Sequence, residues 1–514
     1  MTRILLLGAR VLDPGGPAGP DAVEISDGRI TFVGRVAHAR ERMRGAAVLE
    51  LDGAVLTPAF VDAHVHATAT GLLVDGLDLT GCASPEALLD AVAARAAARP
   101  GALVWGHGWQ DQHWPQPPPP RPALDRAAAG APVYLSRIDV HSALVSSALL
   151  DRAPAAVGAP GWSDGPLSAD AHHLARRAAL TAVDGVARAA AQSAFLTAAA
   201  ARGVAVVHEC AGPDISSAAD LAELLARPGP EVVGYWGEAV TTPGQVRELL
   251  ATTGACGLAG DLFVDGSIGS RSAALRAPYA DAEGCTGNRY LDADAVAAHV
   301  AACTAAGVQA GFHVIGDAAA DVLLAGLDTA ATATSAAAVQ AAAHRVEHLE
   351  MLDPAQARRL AQLGVVASVQ PAFDALWGGR AGMYAERLGA GRAARMNPFA
   401  ALRDAGVVLA LGSDTPVTPL DPWAAVHAAV HHQTPGSGLT PNEAMEAHTV
   451  GGYRAAGDRS PLAGRLVPGA PASYVVWDGA GPLAGDPHPP RCLRTVHRGV
   501  ILHDALRDVG TFPP

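Results

Sequence analysis

The chain has 514 residues, half of them apolar, with 37 basic against 50 acidic side chains and a formal net charge of −13. That length suits one large domain with a satellite, and an acidic balance without any basic block argues against nucleic acid as a partner. Lysine does not occur, so all 37 basic residues are arginine, which excludes a Schiff-base lysine, a P-loop lysine and a carboxylated-lysine metal bridge.

The N-terminal apolar patch in "MTRILLLGARVLDPGG" is too short for a signal peptide and lacks a small-residue cleavage site. No apolar run reaches the roughly 18–20 residues that a membrane span needs. A cytoplasmic location with no membrane association is the expectation. The first fifty-odd residues read as short strands bounded by "PGG" and "SDG" turns, which are hairpin signals. The last fifty look alike ("ASYVVWDG", "RTVHRGVILHD"). The two ends are expected to pair into one small β-sandwich, 1–56 with 461–514, around a central domain at 57–460.

That domain opens on "LTPAFVDAHVH", an apolar run of strand character. Alternate side chains of a strand share a face, so His64 and His66 point the same way. Further strand candidates follow: "PVYLSRIDV", "VAVVHE", "EVVGYWG", "DLFVDG", "QAGFHVIG", "HRVEHLE", "VVASVQP" and "VVLALGSD". Many are separated by Ala-rich, helix-favouring segments. Such alternation predicts a parallel α/β architecture. Nine candidates lie close to eight, which favours a (β/α)8 barrel with one or two extra elements over an open sheet. "DQHWPQPPPPRPALDRAAAG" reads as a proline-stiffened loop near the barrel mouth, and "DTAATATSAAAVQAAAH" as helix.

Barrel sites lie at the C-terminal strand ends. The polar residues there are His64 and His66, then His313, His348 and Asp414. Singly, His348 can be read as a core histidine and Asp414 as a turn residue before Pro416; the ordered set is harder to dismiss. Neutral imidazoles hold a borderline divalent cation such as zinc and leave a position for water. The six cysteines are scattered without a C-x-x-C pair, so neither a disulfide framework nor a zinc knuckle is suggested. "GWSDG" at 161–165 fits G-x-S-x-G formally, but it lacks the preceding strand and following helix of a nucleophile elbow and reads as a turn.

The segments "TPAFVDAHVH", "GHGWQDQHWP", "VHSALVSSALL", "FVDGSIGSRSAAL", "FHVIGDAAAD", "HRVEHLE", "ASVQPAF", "GSDTPVTPLDPW" and "LAGRLVPGAPASYVVWD" cover nearly the whole chain in order. In them the chain resembles the amidohydrolase superfamily, in the branch of YtcJ-like and N-substituted-formamide-deformylase-like proteins. The resemblance implies a distorted TIM barrel with a composite β domain. It makes His64, His66, His313 and His348 metal ligands, and Asp414 the carboxylate that moves the proton of the attacking water. The implied activity is metal-dependent hydrolysis of a carbon–nitrogen bond in a small amide, formamide or N-acyl compound. A catalytically silent barrel and an ester or lactone hydrolase are the alternatives.

The chain departs from the branch in one place. Asp261, in "GDLFVDGSIGSR", stands where members commonly carry the lysine that, once carboxylated, bridges two metals. Aspartate is far shorter, so it is expected to ligate one metal without bridging two. One divalent cation is expected, with two on an unusual bridge as the alternative; zinc comes first, with iron or manganese as the other candidates. Glu209 and Glu347 are alternative carboxylates, and Cys210 and Cys256 weaker options. By position in the matched segments, His141, Trp109, Gln112, Asp265 and Arg271 are expected to face a small-molecule substrate. Asp317 is expected to orient its neighbours, Gly266 and Gly269 to shape a turn, and the pairs at 172–173 and 431–432 to be solvated. A homodimer is the default expectation for assembly.

Overall fold

The computed structural model describes residues 3–506 apart from 17–18, 40–41, 43–44, 75 and 482–487. Parallel strands form a closed (β/α)8 barrel. Around the ring run Phe60–Val65, Val204–Ala211, Glu231–Trp236, then Gly257 with Leu258, Gly311–Val314, Arg345–His348, Val366–Val369 and Val408–Leu411. Parallel bridges Tyr235 to Gly257 and Leu258 to Ala310 carry the ring across its short fourth place, and Val65 to Thr415 closes it. These strands read as continuous apolar runs because both faces are covered; all eight residues of Val204–Ala211 are buried.

Two of the nine strand candidates resolve differently from the sequence reading. "PVYLSRIDV" is not a barrel strand. It supplies Val133–Arg137, inside a five-stranded side sheet running 167–168, 142–145, 133–137, 104–109, 77–78 that is inserted after the first barrel strand. "DLFVDG" makes only isolated bridges, Phe263 to His313 and Asp265 to Arg289, and the pair just before it takes the fourth barrel place. The second half of the proline-rich stretch is helix Arg121–Ala128, since proline in the first turn lacks only a donor the helix does not use. Helices are capped where a short polar side chain precedes them: Asp184, Ser217 and Asp292 accept from their N3 amides. No single helix among the described residues is long and apolar enough to cross a membrane.

The two ends of the chain pair as expected. Strand Val55–Pro58 lies antiparallel to Tyr474–Trp477 in a sheet that faces a second one built from 29–34, 22–26, 3–7 and 47–50. Leu6, Val23 and Ile25 of the latter share a core with Leu56, Tyr474 and Val476 of the former. The terminal sheet keeps the chain through Pro58, and the barrel begins at Phe60.

Candidate metal centre

The first barrel strand presents His64 and His66 on one side, with ring centroids 5.2 Å apart. The fifth and sixth strands carry His313 and His348 near their C-terminal ends, 4.3 Å apart, and His348 lies 5.1 Å from His64. Asp414 follows the eighth strand. All five are buried. Adjacent residues of a strand face opposite ways, yet Glu347 and His348 both reach the barrel interior. The cause is a left-handed backbone at His348, φ +73°, and Asp414 has the same feature at φ +54°. Such conformations are costly for residues with a Cβ and cluster at functional sites.

Asp261 occupies the centre of the group. Its Oδ2 lies 3.2 Å from His66 Nε2 and 3.6 Å from His64 Nε2. Its Oδ1 lies 3.4 Å from His313 Nδ1 and 3.7 Å from His348 Nε2. The expectation that so short a side chain reaches only one metal position is therefore corrected: each oxygen faces a different imidazole pair. The backbone supplies the reach, because between the parallel bridges Leu258 to Ala310 and Phe263 to His313 this segment takes five steps against three on its partner, and Asp261 sits in that bulge.

Asp414 Oδ1 completes the first group, 3.4 Å from His64 Nε2 and 3.2 Å from His66 Nε2. Donors bonded tetrahedrally at about 2.1 Å to a zinc-sized ion stand about 3.4 Å apart, and these atoms have that spacing. His64 Nε2, His348 Nε2 and Asp414 Oδ1 are buried without a hydrogen-bond partner, which buried polar atoms rarely are. Electrostatics agree. Burial opposes a charge on His66, but Asp261 and Asp414 raise its pKa to about 9. Burial likewise works against ionised Asp261, yet His64, His313 and His348 hold it well below the usual carboxylate range. A cluster that draws positive charge this strongly fits a divalent cation.

Further side chains orient the ligands. His64 Nδ1 lies 2.9 Å from Glu347 Oε2, and Arg345 donates to both oxygens of Glu347, at 2.6 and 2.9 Å. Arg345 also donates to the Ala63 carbonyl and faces His208 Nδ1 at 3.0 Å. His348 Nδ1 lies 2.8 Å from Gln370 Oε1. Fixing Nδ1 as the donor turns Nε2 toward the cluster in both rings. Glu347 thus holds the His64 ring in place. Glu209 accepts from the Ala67 amide at 2.7 Å, Cys210 is buried and Cys256 exposed.

The substrate-facing expectations divide. His141 lines two small cavities of about 20 Å3 each, an outer one walled also by Phe373, Trp377 and Tyr384 and an inner one walled also by His66 and Asp261, and stands 5.2 Å from His313. Burial and nearby His313 lower its pKa to about 3, so it is neutral. Four other positions do not face these cavities. Trp109 is buried in the core of the side sheet and donates to the Leu135 carbonyl. Gln112 is half-buried on the loop that follows it. Asp265 accepts from the amides of Ala274, Ile315 and Gly316, so it shapes the loop that carries Asp261. Arg271 clasps Asp281 at 2.7 Å. A Cβ on Gly269 would meet Arg137 and Asp139 at 2.7 Å, which explains glycine there, and Asp317 accepts from the Arg276 amide. Two paired histidines are not solvated: His172 is buried against the Tyr134 hydroxyl at 2.9 Å, and the His432 ring is buried beside Asp374.

Residues the sequence reading passed over include Arg345, Gln370, Asp139, Glu350 and Arg176. Arg345 and Glu347 alternate in a buried strand and so share one face, a signal for a polar pair inside the barrel. Glu350 lines the outer cavity beside Phe373, Trp377 and Tyr384 and accepts from the Tyr384 hydroxyl at 2.6 Å.

A sequence model described as "Amidohydrolase family" matches residues 47–503. The chain is 26% identical to the putative amidohydrolase YtcJ of Bacillus subtilis (strain 168), over 94% of this chain and 96% of that one. It is 24% identical to the N-substituted formamide deformylase of Arthrobacter pascens, over 94% and 95%. Among solved structures, an uncharacterised metal-dependent hydrolase from Pyrococcus furiosus superposes with a TM-score of 0.72 at 25% identity, over 94% of this chain and all of that one.

Proposed function

This chain belongs to the amidohydrolase family, and we propose that it is a metal-dependent hydrolase cleaving a carbon–nitrogen bond, other than a peptide bond, in a small amide, formamide or N-acyl compound. One observation carries the reading. Three buried, unpartnered donor atoms, on His64, His348 and Asp414, converge around Asp261 beside a small cavity. The relative named for formamide deformylation supports the bond class.

His64, His66, Asp261 and Asp414 would hold one divalent cation, with zinc the best fit to two imidazoles and two carboxylates at this spacing. When bound, such a cation lowers the pKa of water and polarises a carbonyl. The chain supplies the rest. Asp414 is held ionised against burial by His64 and His66, so it accepts the proton of the attacking water. It returns that proton to the leaving nitrogen, because an amine departs poorly unless protonated. Glu347 and Gln370 keep two rings aimed, and Phe373, Trp377 and Met383 exclude bulk water from the outer cavity. The proposal includes a cytoplasmic location, a small-molecule substrate and assembly as a homodimer.

Elemental analysis of purified protein, with a screen of amides and formamides under zinc, manganese or iron, tests the reading. Bound metal with metal-dependent turnover is expected. Protein that binds no divalent cation, or binds it without cleaving any amide, refutes it.

A further inference from the structure

Helix Ala169–Thr181 packs on the side sheet with a buried face of Ala169, Ala171, His172, Ala175, Arg176 and Ala179. An arginine in that row is out of place. Arg176 is 4% exposed, and among the described residues no carboxylate lies within the 4 Å of an ion pair and no acceptor takes a hydrogen bond from it. Other deeply buried arginines are paired: Arg345 with Glu347, Arg137 with Asp139, Arg387 with Asp281. Burying an unpaired charge is costly, and a guanidinium cannot escape by losing its proton.

Arg176 lines the inner cavity together with His66, Asp261, His313 and Asp414. The cavity is small, about 20 Å3, so it receives one polar group of a larger molecule, and that group touches both the candidate metal centre and the guanidinium. The charges facing this cavity do not cancel without such a molecule. Asp261 and Asp414 are matched by a divalent cation and Asp139 by Arg137, which leaves Arg176 in excess. Asp139 Oδ1, in the same wall, is buried without a partner, whereas Oδ2 takes Ser267 and Ser270 at 2.7 Å. The cavity therefore offers one planar cationic fork and one free anionic acceptor.

We propose that Arg176 is a specificity residue that receives a carboxylate of the substrate, so that the enzyme acts on anionic amides in preference to neutral ones. The planar fork matches a carboxylate with two parallel hydrogen bonds, and Asp139 Oδ1 accepts from an N–H of the same molecule. This rests on the hydrolase reading for its relevance to catalysis, but the recognition itself is scored by binding alone.

The test is calorimetric titration of the zinc-loaded full chain with matched pairs: N-acetylalanine against its methylamide, and 4-acetamidobutyrate against N-butylacetamide. At least one carboxylate is expected to bind about 10-fold or more tightly than its neutral partner, as hydrogen bonds to a charged group allow. Arg176→Met should bring the pair level, and Arg176→Lys should keep part of the preference. Because Arg176 has no internal partner, ligand-free Arg176→Met should melt at the same temperature or higher. Absence of a carboxylate preference in the wild type, its survival in Arg176→Met, or a lower melting temperature of that variant overturns the proposal. Metal analysis of the same batch reads the hydrolase proposal separately: bound zinc with no carboxylate preference defeats this inference and leaves the other standing.

Discussion

Glu347 Oε2 stands 2.9 Å from His64 Nδ1, and both side chains are fully buried. The contact fixes which nitrogen of His64 carries hydrogen, and so which one faces Asp261 and Asp414. Glu347 is in turn fixed by Arg345, and burial is outweighed by that guanidinium and by His64, which hold its carboxyl far below the usual range. The outer pair thus sets the tautomer that turns His64 Nε2 toward Asp261 and Asp414.

Glu347→Gln keeps the shape but weakens the grip on His64. Loss of such an outer partner lowers metal affinity by about 10- to 100-fold, which competition titration with a zinc chelator measures. Glu347→Ala leaves Arg345 buried without its partner, and breaking a buried pair from one side costs about 3–5 kcal/mol. Denaturant unfolding reads that loss, and an unchanged midpoint would contradict the pairing.

Asp261 belongs to the proposed ligand set and His313 stands outside it, so Asp261→Ala should weaken cation binding more than His313→Ala. Metal added to chelator-treated wild type at about 100 times its dissociation constant should raise stability by about 2.7 kcal/mol. A melting temperature that ignores added zinc, manganese and iron would contradict the assignment of these ligands.

Asp414→Asn removes the proton carrier while leaving an oxygen near the cation. Turnover of any cleaved amide should fall by about 100- to 10,000-fold in protein that still contains metal. Undiminished turnover at equal metal content would show that another group carries the proton.

His344 supplies a pH dependence away from the metal centre. The Ala310 amide donates to its Nδ1 at 2.9 Å, and its Nε2 meets the Thr304 hydroxyl at 2.9 Å. Burial lowers its pKa to about 4, so the unfolded chain binds this proton at higher pH than the folded one. Its contribution to stability is complete above about 6.5 and shrinks as pH falls toward 4, by about 1.4 kcal/mol per pH unit. The stability gap between wild type and His344→Gln should narrow over that range; a constant gap would show that His344 is protonated in the fold.

Much of this protein is legible in its order of residues. Strand alternation puts His64 and His66 on one face, and the polar residues at successive strand ends single out His313, His348 and Asp414, which the fold gathers into one buried group. The turn-rich ends announce a separate β unit, and the absence of lysine rules out one kind of metal bridge. These signals are local, because side-chain direction in a strand repeats every second residue whatever the strand packs against. Tertiary structure decided what depends on contacts between distant segments. It placed "PVYLSRIDV" in a side sheet, buried Trp109 away from the cavities, carried Asp261 between two imidazole pairs, and left Arg176 facing the metal cluster without a counter-ion. No periodicity encodes these, since each depends on where a loop or helix comes to rest against strands up to hundreds of residues away.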